Sequence, residues 1–210
     1  MGDRPDSGAM GFGAMRCGAM RSGAMRGAAV ALLFLLGAAA PAAPAVPANR
    51  ANPAIERLLS ALHAASNGRD AGAIAARLER TWENAGTPAV TLLLRSGQAA
   101  LAAGRFADAL RDADAAVTLA PDLPAARFAR AVARLHLGQR AGAERDLAQS
   151  LAIEARFLPA LELEARLAAG RGDWTAAAAA WRRVLTLAPR LPGGQRTLRG
   201  FLRHAAGHQA

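Results

Sequence analysis

The sequence predicts an all-α fold, an α-α superhelix of stacked antiparallel helix hairpins finished by a C-terminal capping helix. Three observations carry this reading. Of 210 residues, 58 are Ala and only 4% are aromatic, with no Tyr, so the core must be assembled from Ala, Leu and Val. Such small side chains favour closely apposed helices over β-sandwiches, which lean on β-branched and aromatic residues. The hydrophobic fraction of 52% is too high for a disordered chain. Third, the chain resembles itself at a spacing of 34 residues between about 90 and 191, the mark of a repeat array.

The first fifty residues read as an address. Residues 28–40 are an uncharged apolar run, preceded by Arg16, Arg21 and Arg26 and followed by Ala- and Pro-rich sequence. That order of positive, apolar and small-residue regions is the order of a secretory signal. Residues 1–48 are therefore taken as a signal peptide with a low-complexity Pro/Ala linker, and cleavage is expected after Ala42, Ala45 or Ala48. The run is shorter than the about 20 apolar residues that span a bilayer; retention as an uncleaved inner-membrane anchor is the other outcome. Gly-Ala-Met recurs up to Met10, Met15, Met20 and Met25, and a start at Met20 or Met25 would give a positive region of ordinary length. The single Cys, Cys17, precedes the apolar run and so is not the lipid-bearing residue of a lipoprotein. One Cys also removes a disulfide framework and a Cys-based zinc site. The expected location is the bacterial periplasm.

Residues 53–86 keep a helical period without the repeat signature. Ile55, Leu58, Leu59 and Leu62 fall on one helix face, and Ile74, Leu78, Thr81 and Trp82 on another. Asn67-Gly68 turns the chain, and Asp70 is placed to cap the second helix. This is a degenerate helix pair, read as a first hairpin ahead of the repeats.

Residues 87–205 hold three copies in register, at about 90–123, 124–157 and 158–191, and the capping helix. Gly104, Gly138 and Gly172 form one column, Ala109, Ala143 and Ala177 a second, and Gly97, Ala131 and Ala165 a third. Each glycine of the first column follows a helix-long stretch, where a left-handed residue ends a helix at low cost. The small columns let two antiparallel helices approach closely. Pro121 and Pro189 sit past the second helix and stop it, with Ala155 as a defect. Phe106 and Trp174 fill space between successive hairpins, and Arg140 interrupts their column. In residues 194–205, Leu198, Phe201, Leu202 and Ala205 share a face that should cap the last hairpin, leaving Arg196, Arg199 and Arg203 in water.

These columns resemble the tetratricopeptide repeat. "LLLRSGQAALAAGRFADALRDADAAVTLAPD" carries Gly97, Gly104, Phe106, Ala109, Ala116 and Pro121 at the family spacing, and "LELEARLAAGRGDWTAAAAAWRRVLTLAPR" carries Ala165, Gly172, Trp174, Ala177, Trp181 and Pro189. The middle copy keeps Ala131, Gly138 and Ala143. The order of signal, Trp-containing pair and three repeats is similar to that of small exported bacterial members. The resemblance implies a non-catalytic scaffold or adaptor that binds a peptide or protein segment in a groove lined by the first helix of each hairpin. It places Thr91, Leu94, Arg95 and Gln98 of the first repeat there, with Phe128, Val132 and His136 of the second and Glu162 and Arg166 of the third. The bland alternative for Leu94, Phe128 and Val132 is inter-helix core. Groove exposure is expected for Phe128, because large exposed apolar side chains mark sites, with Arg95 and Arg166 available to hold carboxylates. In some family members Lys and Asn side chains clamp the C-terminal carboxylate of heat-shock chaperones. The matching positions here are Leu94, Gln98, Ala129 and Leu163, so that clamp is not expected.

Chemistry is otherwise sparse. His204 and His208 have the spacing of a helical metal pair, but Gly207 intervenes and no third ligand is near. Glu162 and Glu164, two apart, point to different helix faces. With no Lys there is no phosphate loop of the Gly-Lys type. No catalytic residue, cofactor or metal is expected. The net charge of +10 invites a nucleic-acid reading, but residues 51–181 hold fifteen Arg against fourteen acids, while residues 182–210 hold six Arg and no acid. A nearly neutral body argues against nucleic acid as partner. The basic tail supports an alternative function, a cell-envelope assembly component that touches a membrane or an acidic partner there or through its N-terminal segment.

Overall fold

The computed structural model describes residues 52–207. The signal and linker assigned to residues 1–48, Cys17 and His208 lie outside the described residues. Within them the chain forms nine helices and no strand: α1 Pro53–His63, α2 Gly68–Glu83, α3 Pro88–Ala102, α4 Phe106–Leu119, α5 Pro124–His136, α6 Arg140–Ile153, α7 Leu158–Gly170, α8 Trp174–Leu187 and α9 Gly194–Gly207. None of these helices is long and apolar enough to cross a membrane.

Local chemistry sets the ends. Pro occupies the first turn of α1, α3, α5 and α7, where its missing N–H costs nothing and its fixed φ suits a helix. Gly104, Gly138 and Gly172 have φ of 71°, 73° and 77°. Each closes the same motif. The N–H of the residue after the glycine donates to the third-last helical carbonyl: Arg105 to Ala100 at 2.8 Å, Gln139 to Arg134 at 2.9 Å and Asp173 to Ala168 at 3.0 Å. Orphan carbonyls at the helix end are thereby satisfied, and the chain reverses into the second helix. At α2 the cap is Asn67, not Asp70: the Asn67 side chain accepts from the Asp70 N–H at 2.9 Å and donates back to the Asp70 carboxylate at 2.7 Å.

α3/α4, α5/α6 and α7/α8 are antiparallel hairpins. α5 packs closely on α4, and α9 closes the stack on α8. Ala109, Ala143 and Ala177 are buried where the paired helices cross, as are Ala131 and Ala165. The 106/140/174 column makes the contact between successive hairpins. Phe106 stacks on His136 at 4.5 Å, and Trp174 stacks on His204 at 4.4 Å. The residue between those two histidines in the repeat is Gly170, which offers no ring. Arg140 there donates instead to the Leu167 carbonyl at 3.2 Å. The break in the bulky column is thus matched by a break in its partner column. Of the α9 face, Leu198 and Phe201 pack against the core, whereas Leu202 remains 39% exposed.

α1 and α2 pack on each other but do not precede α3 as α4 precedes α5. α1 lies against α8, and α2 against α5 and α7. Contacts with the α6–α8 segment hold the pair there. Trp82, fully buried, meets Phe157 edge to face. Arg156, in the α6–α7 turn, bonds Glu56 of α1 at 2.7 and 2.9 Å as well as Glu154. His63 Nδ1 lies 3.0 Å from the Thr186 carbonyl. Where α2 enters, α6 and α7 touch more sparsely than α4 and α5 do.

A buried ion cluster joins the first two repeats. Asp146, 2% exposed, accepts from Arg130 at 2.6 and 2.9 Å and from Arg134, and Arg130 also reaches Asp114 at 3.2 Å.

Candidate functional site

The periodicity of four helices converges on one recess. On α2, Ala71, Ala75, Leu78 and Trp82 form the buried stripe. Glu79 and Glu83, one residue further round and four apart, are carried on its edge, half-buried. On α5, Phe128 and Val132 share a face with Ala125 and Ala129. On α3, Leu94, Gln98 and Leu101 do the same. On α7, Glu162 and Arg166 are four apart and flank the buried row that contains Leu161 and Ala165. Together they enclose a cavity of about 260 Å³, with Ala109 and Ala113 of α4 and Phe157 completing the wall.

Of the nine residues expected in the groove, six line this cavity: Leu94, Gln98, Phe128, Val132, Glu162 and Arg166. Leu94 is a buried wall residue at 4% exposure, and Phe128 and Val132 are half-buried. Phe128 is held edge to face by Phe157 at 5.5 Å. The other three are elsewhere. Thr91 and Arg95 line a separate shallow depression with Leu92 and Pro88, where Arg95 donates to Asn84 at 3.1 Å. His136 is occupied by Phe106, because the last turn of α5 faces the preceding hairpin.

Three side chains that line the recess were not singled out from the sequence: Glu79, Glu83 and Phe157. The i,i+4 spacing of the two acids announced a shared face, but nothing local announced that α2 would turn that face toward α5 and α7. Gln98 Nε2 donates to Glu83 at 2.6 Å across the recess. Burial pushes the Glu79 carboxyl above the usual carboxylate range, and the charges of Glu162 and Glu83 add to this while Arg80 opposes it. Burial also raises Glu162, against the pull of the Arg166 guanidinium.

One solved structure ties these hairpins to a known architecture. It is titled as the first tetratricopeptide-repeat domain of Spaghetti (RPAP3) bound to the HSP90 peptide SRMEEVD, and it superposes with a TM-score of 0.51. The match covers 56% of this chain and 93% of that one at 21% identity. This chain has the tetratricopeptide-repeat fold. At that identity the likeness speaks for the tetratricopeptide architecture and not for a ligand. No protein-family model and no curated protein matches the sequence. Within the tetratricopeptide array, the four clamp-equivalent positions hold no cation: Leu94, Gln98 and Ala129 line the cavity, and Leu163 is buried.

Proposed function

We propose that the protein is a non-catalytic, exported adaptor that binds a peptide or protein segment in the recess lined by α3, α5 and α7. The observation that supports this most is the cavity itself. A half-buried Phe128 and Val132 sit at the bottom of an opening whose few polar groups, Gln98, Glu79, Glu83, Glu162 and Arg166, converge on one volume. A concave, mostly apolar site with a small number of placed polar groups is the usual form of a binding site, and a few buried anchors carry most of the affinity in such contacts. The neighbour in fold was solved with a peptide bound, which adds support for a peptide-sized occupant.

The test is photo-crosslinking in intact cells from a probe residue at position 129, on the cavity wall. Phe128→Ala should abolish a discrete adduct while helical content stays unchanged; an adduct of equal yield in that variant would defeat the reading. Cell fractionation and the N-terminal mass of the recovered protein test export and cleavage.

A second reading has one observation behind it. Arg196, Arg199 and Arg203 are exposed on α9, beside the exposed Leu202. Such a face suits an anionic membrane. Flotation with anionic vesicles that is lost on removing residues 194–210 would favour that envelope role.

A further inference from the structure

The recess has an apolar floor and an acidic rim. Glu79 and Glu83 enter from α2 and Glu162 from α7, against the single cation Arg166. The lining side chains contributed by α3, α4 and α5 are uncharged. Arg95, which the sequence offered as a second carboxylate holder, is turned to Asn84 outside this volume.

We infer that the recess receives a cationic peptide segment, its large apolar side chain seated on Phe128 and Val132 and an adjacent Arg or Lys held among Glu79, Glu83 and Glu162. This rests on the peptide-groove reading above and adds the charge of the ligand. Size limits the occupant. About 260 Å³ lies below the roughly 300–1,000 Å³ of pockets that enclose a drug-sized ligand, so the recess takes in one or two side chains of a bound segment. Electrostatics selects among segments. Glu79 and Glu162 are both half-buried, and the Glu162 charge adds to the cost of ionising Glu79. A guanidinium entering between them replaces lost water with charge-assisted hydrogen bonds and cancels the repulsion. An acidic segment would meet three carboxylates, and like charges set against each other suppress the wrong partner. The fold neighbour's EEVD-ending peptide therefore has the opposite sign from the ligand inferred here.

A pH dependence follows. The raised carboxyls of Glu79 and Glu162 take up protons earlier on acidification than an ordinary Glu, and a protonated rim does not hold a cation. Around them Glu83 and Arg80 are the charged groups on α2 and Arg166 is the one on α7. Binding should weaken as pH falls, starting above the range where ordinary carboxylates titrate.

The experiment is selection of a randomised, displayed short-peptide library on the purified protein, followed by titration of the enriched peptides into wild type, Phe128→Ala and the double variant Glu79→Gln/Glu162→Gln. Because both carboxyls are uncomfortable when ionised, the double variant should fold at least as well as wild type. The expected result is enrichment of Arg or Lys beside a large apolar residue, with affinity falling about tenfold or more in the double variant, one tenfold step per lost charge contact being ordinary. Enrichment of acidic or neutral apolar peptides that lose affinity in Phe128→Ala but not in the double variant would overturn the cationic inference and leave the groove standing. Peptides insensitive to Phe128→Ala, or no enrichment, would remove the groove and this inference together.

Discussion

The indole of Trp82 and the ring of Phe157 meet edge to face with centroids 5.0 Å apart, and Phe157 in turn meets Phe128 at 5.5 Å. This aromatic chain runs from the N-terminal helix pair, through the α6–α7 turn, to the floor of the recess. It makes α2 part of the wall of the recess although α2 belongs to no repeat.

Trp82→Ala should cost about 3–5 kcal/mol, the usual range for truncating a fully buried large aromatic. The Trp82 indole N–H is buried without an acceptor among the described residues. Trp82→Phe removes that orphan donor along with some packing, so its cost should be clearly smaller. Urea unfolding of both variants checks the order; equal destabilisation would show that the unpaired N–H carries no penalty.

Asp146 should be the most sensitive charge in the molecule. It is 2% exposed and holds two arginines. Asp146→Ala leaves Arg130 and Arg134 facing each other, which should cost about 3–5 kcal/mol. By contrast, Glu144→Ala breaks only the half-exposed pairs with Arg140 and Arg171 and should cost no more than about 1 kcal/mol. Thermal unfolding separates the two.

Stability should respond to pH with opposite signs at two sites. Glu79 and Glu162 hold protons more tightly folded than unfolded. Their contribution is complete below the ordinary carboxylate pKa and is lost as pH rises through the raised values. Glu79→Gln should therefore raise the urea midpoint at neutral pH and leave it unchanged in acid. Glu56 is the reverse: its hydrogen bond to Arg156 lowers its pKa, giving stability above the ordinary value that disappears as pH falls through the lowered one. Glu56→Gln should lower the midpoint at neutral pH, by a small amount because the pair is largely in water.

Gly97→Ala and Gly138→Ala should also differ in sign. A Cβ at Gly97 would meet the Ala109 carbonyl at 3.6 Å and the Asp112 Cβ at 3.7 Å, ordinary contact distances, and the equivalent residues are Ala131 and Ala165. The substitution should stabilise by about 0.5–1 kcal/mol through helix propensity. At Gly138 nothing lies within 4 Å, but φ is +73°, so Ala there should cost about 1 kcal/mol. Matching denaturation curves would test both.

The repeating part of the molecule was legible because its signals are local. A glycine column marks turns with positive φ, and alanine columns mark helix crossings; both are decided within one hairpin. Even the defect at Arg140 is explained one column over, by Gly170. The site was legible only in part. Phe128 and Val132 declared themselves as a large apolar pair on a first helix. Glu79 and Glu83 did not, because their role depends on where α2 docks, a matter of Trp82 finding Phe157 some 75 positions later in the chain. His136 misled for the opposite reason: the last turn of α5 lies on the groove-forming helix but faces its neighbour, and only the pairing with Phe106 shows that.

The clasp of Arg156 on Glu56 ties the leading hairpin to the α6–α7 turn. Open solenoids can gain or lose a unit, because every unit meets only its neighbours. Here the leading hairpin is fastened to residues two hairpins further along the chain, and inserting or deleting one 34-residue module should carry the fastening points apart. A chain with one link more or fewer would leave these contacts without their partners, as a bracelet with a link removed no longer meets its clasp.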